Sequence, residues 1–306
     1  MDIFKKGSTK HLSDEELLDL IKTCGGLRAT ARFLSVDHSA IQGRLNRMGV
    51  SFDDVMSQYQ DEIAPKQENA GISGDCIITA DYHNPFCSLR WVERAIGMGK
   101  REKINQLVCA GDFFDMDRLS WWLRQSRAEE IAVPLGKELS FAEMVLERFE
   151  TQFDRIIMIG GNHWKRLLKQ ITYSVPTNRL MGLVGRKDDS RYVYTGLFEW
   201  TLLDEKIRIT HPGKARKLDY TLARDLSILY PNQWLVVAHR HRTNEGFTPD
   251  GRPMWEIGWM GDTERMRYIQ HVDSTYYNWV NGFMVYKDGA IRNLTEFNYD
   301  WSKIDK

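Results

Sequence analysis

Apolar and polar residues change their spacing along the chain, and the change divides it. Between residues 13 and 49 apolar positions recur at helical intervals. Ser13, followed three residues later by Glu16, has the capping-box pattern. Leu17, Leu18 and Ile21 then form one stripe, and Gly25-Gly26 stops it. A second short helix carries Leu27, Ala31 and Leu34. Ser35-Val36-Asp37 reads as a tight turn, with Asp37 as N-cap of a third helix. That helix places Ile41, Leu45 and Met48 on one side, and Gly49 ends it. The segment from Ser51 to Ile63 has helical character. Pro65-Lys66-Gln67-Glu68-Asn69-Ala70-Gly71 is polar and turn-rich. The pattern predicts a trihelical module over residues 1–52, a linker over 53–74 and a larger domain over 75–306.

In that domain strand-like runs alternate with helical ones. Cys76 to Ala80, Ile104 to Ala110 and Arg155 to Ile159 are short, apolar and buried in pattern. Leu89 to Lys100, and about Ala128 to Phe153, read as the helices between them. The second half changes character. Phe198 to Leu203 and Lys206 to Thr210 alternate around Asp204-Glu205 as a hairpin does. Lys217 to Leu229 is amphipathic and helical, and Trp234 to Ala238 is a buried strand. Met254 to Met260, Phe283 to Tyr286 and Ala290 to Leu294 read as closing strands. Two packed sheets with flanking helices follow from this order.

Composition adds few constraints. The 306 residues are 42% hydrophobic and 27% charged, with a formal net charge of +0. No global field therefore draws the protein to nucleic acid or membrane, and any such attraction is local. The first residues lack the apolar core of a signal peptide, and no run is long enough to span a bilayer. The four cysteines, Cys24, Cys76, Cys87 and Cys109, show no Cys-x-x-Cys spacing, and Cys76 and Cys109 fall in strand-like runs as reduced core residues. A cytoplasmic protein is expected.

The chemistry lies where apolar runs end. In order come Asp81-Tyr82-His83, Gly111-Asp112-Phe113-Phe114-Asp115, Gly161-Asn162-His163, His211 and His239-Arg240-His241. Carboxylate, amide and imidazole donors suit hard-to-borderline divalent ions, and no cysteine joins them as it would at a structural zinc site. Each group alone is ordinary: a lone hairpin histidine such as His211 is more often a surface residue. Together, each after a buried strand, they point to a metal site. His11, His38 and His271 fit none of these groups and read as surface or packing residues.

These motifs resemble those of the calcineurin-like metallophosphoesterase superfamily over roughly residues 75–295. The resemblance implies an α/β fold, a four-layer αββα sandwich, carrying two divalent metals about 3.5–4 Å apart. It implies that Asp81, His83 and His241 hold one ion, that Asn162, His211 and His239 hold the other, and that Asp112 bridges them. Mn²⁺ is the expected metal, with Fe²⁺, Zn²⁺, Ni²⁺ or Mg²⁺ as alternatives. Hydroxide generated between the metals would attack phosphorus, with His163 as general acid and Asp115 orienting it. Three departures adjoin these positions: Trp164 stands where an acidic residue is usual, Ala238 precedes His239 in place of glycine, and Pro212 follows His211.

The N-terminal module resembles a helix-turn-helix unit, with Ala31, Leu34, Val36, Ile41 and Leu45 at the positions that motif keeps apolar. Ser39, Gln42, Gly43, Asn46 and Arg47 turn away from that core, where a DNA reader meets the major groove. Cations also follow the metal motifs: Arg118, Arg124 and Arg127 beside Trp121 and Trp122, then Lys165, Arg166 and Lys169, then Lys214, Arg216 and Lys217, then Arg240 and Arg242. Cations grip phosphate backbones and tryptophans stack on bases, although both residue types are also common on surfaces and in cores. The expected partner is nucleic acid, DNA before RNA, contacted by Gln42, Asn46, Arg47, Lys165, Arg166, Lys214 and Arg240. The expected activity is that of a nuclease or phosphodiesterase. The alternative is a small-molecule phosphatase or cyclic-nucleotide phosphodiesterase whose N-terminal module serves association, as in a homo-oligomer.

Overall fold

The structure is a computed structural model and describes residues 9, 11–24, 26–63, 71–120, 132–170, 181–186, 188–195, 199–213, 218, 220–266 and 278–305. The chain divides into two compact units, Met1–Glu68 and Asn69–Lys306.

The smaller unit holds α1 (Asp14–Cys24), α2 (Leu27–Leu34), α3 (His38–Met48) and α4 (Phe52–Ile63). The Ser13–Glu16 capping box forms reciprocally, with Ser13 N–H donating to the Glu16 carboxylate at 2.7 Å and Glu16 N–H to Ser13 Oγ at 3.1 Å. Asp37 caps α3 by accepting from Ser39 N–H at 2.8 Å. Leu17, Ile21, Ala31, Leu34, Ile41, Leu45 and Val55 form the core. Val55 belongs to α4, so this helix is part of the module's core. That corrects the linker expected over 53–74. Ser51 and Asp54 start α4 with a second reciprocal cap that the sequence reading passed over.

The larger unit contains two mixed sheets. The first has the order β11-β10-β1-β2-β3-β4, with β1 (Cys76–Thr79), β2 (Gln106–Ala110), β3 (Arg155–Ile159), β4 (Tyr192–Tyr194), β10 (Gly282–Lys287) and β11 (Ala290–Thr295). Strands β1 to β4 run parallel, and β10 and β11 close the sheet antiparallel. The second has the order β5-β6-β7-β9-β8, with β5 (Trp200–Leu203), β6 (Ile207–Thr210), β7 (Trp234–Val237), β8 (Asn244–Phe247) and β9 (Pro253–Glu256). Here β6, β7 and β9 are parallel.

Strand alternation sorts the core into layers. Ile78, Val108, Ile157, Ile209 and Val236 point between the sheets. Ile77, Leu107, Cys109 and Ile156 point the other way, into a cluster with α5 (Leu89–Glu102) and α6 (Leu135–Glu150). Leu235 and Val237 pack outward against α8 (Thr221–Leu229). Helices, sheet, sheet and helix make the expected four-layer sandwich. Among the described residues no helix is long and apolar enough to cross a membrane.

Several element limits differ from expectation. α6 starts at Leu135, because Pro134 stands at its N-cap, and residues 128–131 of the expected helix lie outside the described residues. α8 starts at Thr221, after Tyr220 at φ 61°, and Lys217 of the expected helix lies outside the described residues. β9 ends at Glu256, before Gly258, where an added Cβ would fall 2.6 Å from the Val280 carbonyl oxygen. β4 and β8 were not expected; β8 reads Asn-Glu-Gly-Phe and has little strand character of its own.

Candidate metal centre

The parallel strands deliver the motifs to one end of the sandwich. β1 ends just before Asp81, β2 before Asp112, β3 before Asn162, β6 before His211 and β7 before His239. Side chains beyond the carboxyl ends of parallel strands share one crevice. His83 N–H donates to the Asp112 carbonyl at 2.9 Å, and Ala238 N–H to the Thr210 carbonyl at 2.9 Å, so each sheet ties its own loops together.

Three groups of donor atoms each converge within 4.8 Å: Asp81, His83 and His241; His83, Asp112 and His163; and Asp112, His211 and His239. The Nε2 atoms of His83 and His241 stand 3.0 Å apart. His83 Nδ1 donates to the Asp115 carboxylate at 2.8 Å, which leaves its Nε2 as a lone pair facing the centre. Asp81 Oδ1 lies 3.0 Å from His211 Nε2 and 3.4 Å from His241 Nε2. Asp112 Oδ2 lies 3.3 Å from His211 Nε2, and its other oxygen accepts from His163 N–H at 2.9 Å.

This donor set fits divalent cations. Asp81 and Asp112 are buried, and among the described residues neither pairs with a lysine or arginine. Asp112 Oδ2 and Asn162 Oδ1 are buried without a hydrogen-bond partner, which calls for an explanation in a folded protein. Burial alone would raise both carboxyls. The imidazoles of His241 and His211 outweigh it at Asp81, and those of His163 and His211 outweigh it at Asp112, so both are held well below the usual carboxylate range. Burial would lower His211, but Asp112 and Asp81 push it well above its ordinary value. Burial, with His211 nearby, takes His239 down to about 3 and keeps its ring neutral. Ionised carboxylates and neutral imidazoles are the states a metal ligand needs, and a cation would displace the proton His211 holds.

Five of the expected ligands sit at positive φ: Asp81 at 54°, His83 at 49°, Asp112 at 42°, His239 at 83° and His241 at 57°. Residues with a Cβ avoid this region, at a cost of order 1–3 kcal/mol each when held there. Two motif glycines are required by space. A Cβ on Gly161 would lie 2.1 Å from Asp112 Oδ1, and one on Gly111 would lie 2.3 Å from the His211 ring.

Of the two residues expected to act on protons, His163 is placed beside the donors, with Nε2 3.7 Å from Asp112 Oδ2. Its Nδ1 faces the Asp115 carbonyl at 2.7 Å and the Asp115 carboxylate at 3.1 Å. Asp115 therefore serves two histidines, His83 and His163, where the sequence suggested one. A further support comes from α6, where buried Glu138 accepts from Met116 N–H at 2.8 Å behind this loop. Burial pushes the Glu138 carboxyl up to about 8, against that hydrogen bond. His241 is stacked on Trp259 and meets the edge of Trp279 with centroids 4.2 Å apart. Neither tryptophan carried a signal in the sequence beyond its size. Trp164 packs on Phe114 at 5.3 Å and is buried, so an apolar anchor stands at that departure from the motif.

The expected nucleic-acid contacts fare unevenly. Asn46 and Arg47 are exposed on α3, and Gln42 donates to Asn46 at 3.0 Å. Lys165 pairs with Glu199 at 2.7 Å. Arg166 reaches His163 and Asp115. Arg240 is a correction: it is 6% exposed and donates to Glu256 at 2.7 Å, inside the protein. His239 and His241 face the centre, and the residue between them points away. Lys214, Arg216, Lys217, Trp121, Trp122, Arg124 and Arg127 lie outside the described residues, as does the side chain of Lys169.

The sandwich and its donor set agree with a calcineurin-like metallophosphoesterase architecture. No protein-family model and no curated protein matches the chain. Solved structures with similar folds include Vps29 complexed with zinc from Entamoeba histolytica, 14% identical with a TM-score of 0.37, covering 72% of this chain and 97% of that one. A hypothetical protein from Pyrococcus horikoshii is 12% identical with a TM-score of 0.43, covering 76% and 91%. A metallophosphoesterase from Sphaerobacter thermophilus is 11% identical with a TM-score of 0.39, covering 75% and 91%.

Two substitutions test this geometry. Gly161→Ala should leave a folded protein that retains less Mn²⁺ than wild type after reconstitution and desalting, because Asp112 must move; elemental analysis reads the metal and circular dichroism the fold. Glu256→Ala removes the buried carboxylate that accepts from both Arg240 and Asn244 and should cost about 3 kcal/mol in urea denaturation.

Proposed function

We propose that this protein is a metal-dependent phosphodiester hydrolase acting on nucleic acid, DNA in the first place. The observation that carries the hydrolase reading is the convergence of Asp81, His83 and His241, and of Asp112, His211 and His239, at one end of the sandwich. Asp81, His83 and His241 would hold one ion. Asn162, His211 and His239 would hold the other, and Asp112 would be shared. The all-nitrogen-and-oxygen donor set suits Mn²⁺, or Fe²⁺, Zn²⁺, Ni²⁺ or Mg²⁺. Such a pair supplies Lewis acidity towards a phosphoryl oxygen and a nucleophile from water at neutral pH.

The chain's own residues do the rest. His163 faces the donors, with Nε2 3.7 Å from Asp112 Oδ2, and would give a proton to the leaving oxygen. Asp115 holds the far side of its ring, 3.1 Å from Nδ1, and so orients it for such a step. The diester and nucleic-acid part rests on the helical unit. Its α2, three-residue turn and α3 leave Asn46 and Arg47 exposed on the helix that a helix-turn-helix reader would present.

Mn²⁺-reconstituted protein should hydrolyse a bis-nitrophenyl diester and linear or single-stranded DNA, and Asp112→Asn should lower kcat/KM by about 10³-fold, corresponding to roughly 4 kcal/mol. Absence of bound metal in the reconstituted wild type, or turnover of monoesters alone, would overturn the reading. Arg47→Ala should weaken DNA binding and reduce its salt slope by about 1, with the small diester cleaved as before. Unchanged DNA binding across a salt series would favour association as the role of the helical unit.

A further inference from the structure

Among the described residues, Arg166 forms no hydrogen bond or ion pair with a carboxylate. It lies in the first turn of α7 (Trp164–Gln170), which begins immediately after His163. Buried Trp164 anchors that turn against Phe114 of the second motif. Arg166 N–H donates to the His163 carbonyl at 2.9 Å. The side chain then folds back over the catalytic loop. Nη1 donates to the Asp115 carbonyl at 2.8 Å, and Nη2 donates to His163 Nε2 at 2.9 Å.

A guanidinium has five N–H donors and no acceptor. His163 Nε2 is therefore the acceptor in this contact, so the acid role proposed for His163 requires this hydrogen bond to open when substrate binds. Both partners of the guanidinium are uncharged acceptors, and among the described residues no carboxylate forms an ion pair with it. Asp117 feels the charge through space, without contact. Neighbouring cations differ: Lys165 pairs with Glu199 and Arg240 with Glu256. A partly buried guanidinium with spare donors, one residue removed from the central carboxylate, is arranged for an anion that the protein itself does not supply. Its planar fork matches two oxygens of a phosphate.

We propose that Arg166 is the substrate's anion contact, binding a non-bridging phosphoryl oxygen beside His163. The proposal rests on the phosphoesterase reading and narrows it. Favoured substrates carry an ionised oxygen on the reacting phosphorus, as mono- and diesters do and neutral triesters do not.

The test uses full-length, Mn²⁺-reconstituted wild type, Arg166→Ala and Arg166→Lys, with inorganic phosphate as probe. Isothermal titration calorimetry should show phosphate binding weakened roughly 10- to 100-fold by Arg166→Ala, the range for a hydrogen bond to a charged group. Metal content should be unchanged. Arg166→Lys should recover part of the affinity, and millimolar guanidinium should restore it in Arg166→Ala. Undiminished phosphate binding in a metal-loaded Arg166→Ala would make the residue a brace for His163 and overturn the proposal. Loss of metal in both variants, or a metal-loaded wild type that binds no phosphate, would overturn it equally. A wild type that binds phosphate through Arg166 yet hydrolyses no ester would sink the hydrolase reading and leave the anion contact standing.

Discussion

Two carboxylates, Asp81 and Asp112, are buried at the carboxyl ends of adjacent parallel strands, and no lysine or arginine among the described residues pairs with them. Carboxylates out of water cost several kcal/mol each unless compensated. Here imidazoles from both sheets, His83, His211, His239 and His241, crowd around them. The compensation is partial. His239 stays neutral, and His211 keeps a proton only because both carboxylates face it. A site that gathers negative charge and neutral lone pairs in one dry crevice is electrostatically incomplete without cations. That deficit, rather than the presence of any one motif, suits the centre to divalent cations.

The backbone shows the same compromise. Asp81, His83, Asp112, His239 and His241 hold left-handed conformations that glycine would adopt at less cost. Glycine has no side-chain donor, so the strain stays with the donor residues. Surrounding contacts hold it there. His83 N–H is bonded to the Asp112 carbonyl, Asp81 Oδ2 accepts from His239 N–H at 3.0 Å, and Trp259 lies flat against the His241 ring. Where glycine does occur, at Gly111 and Gly161, a side chain is excluded because ligands occupy its space. The motifs thus encode two separate demands: donors where the backbone is strained, and no side chain where donors meet.

Much of this was legible in the sequence. The buried strands end where the apolar runs end, and the donor residues follow them, because burial on both sheet faces leaves a continuous apolar signal. The capping box and the Asp37 cap are local and were readable for the same reason. Long-range partners were not. Nothing adjacent to Asp115 announces that it bonds His83 as well as His163, and nothing near Glu138 announces Met116. α4 reads as linker in the sequence because its inward residue, Val55, meets a core that other helices build. β8 exists because β9 offers it a pairing edge, not because Asn244–Phe247 favours a strand.

The cations show where counting residues near a motif fails. Arg240, between two histidines of the candidate metal centre, has the sequence position of a phosphate contact. Once His239 and His241 turn to the centre, the intervening side chain is carried to the other side, and Glu256 at the end of β9 receives it. Asn244 also donates to Glu256, at 2.6 Å, so the loop is tied to the sheet from which it departs. Arg166 has the opposite outcome. Three residues past His163 is nearly one helical turn, which returns its side chain to the side of the chain from which His163 leads into α7. Direction along the chain, set by local geometry, decides which cation becomes a brace and which one meets the site.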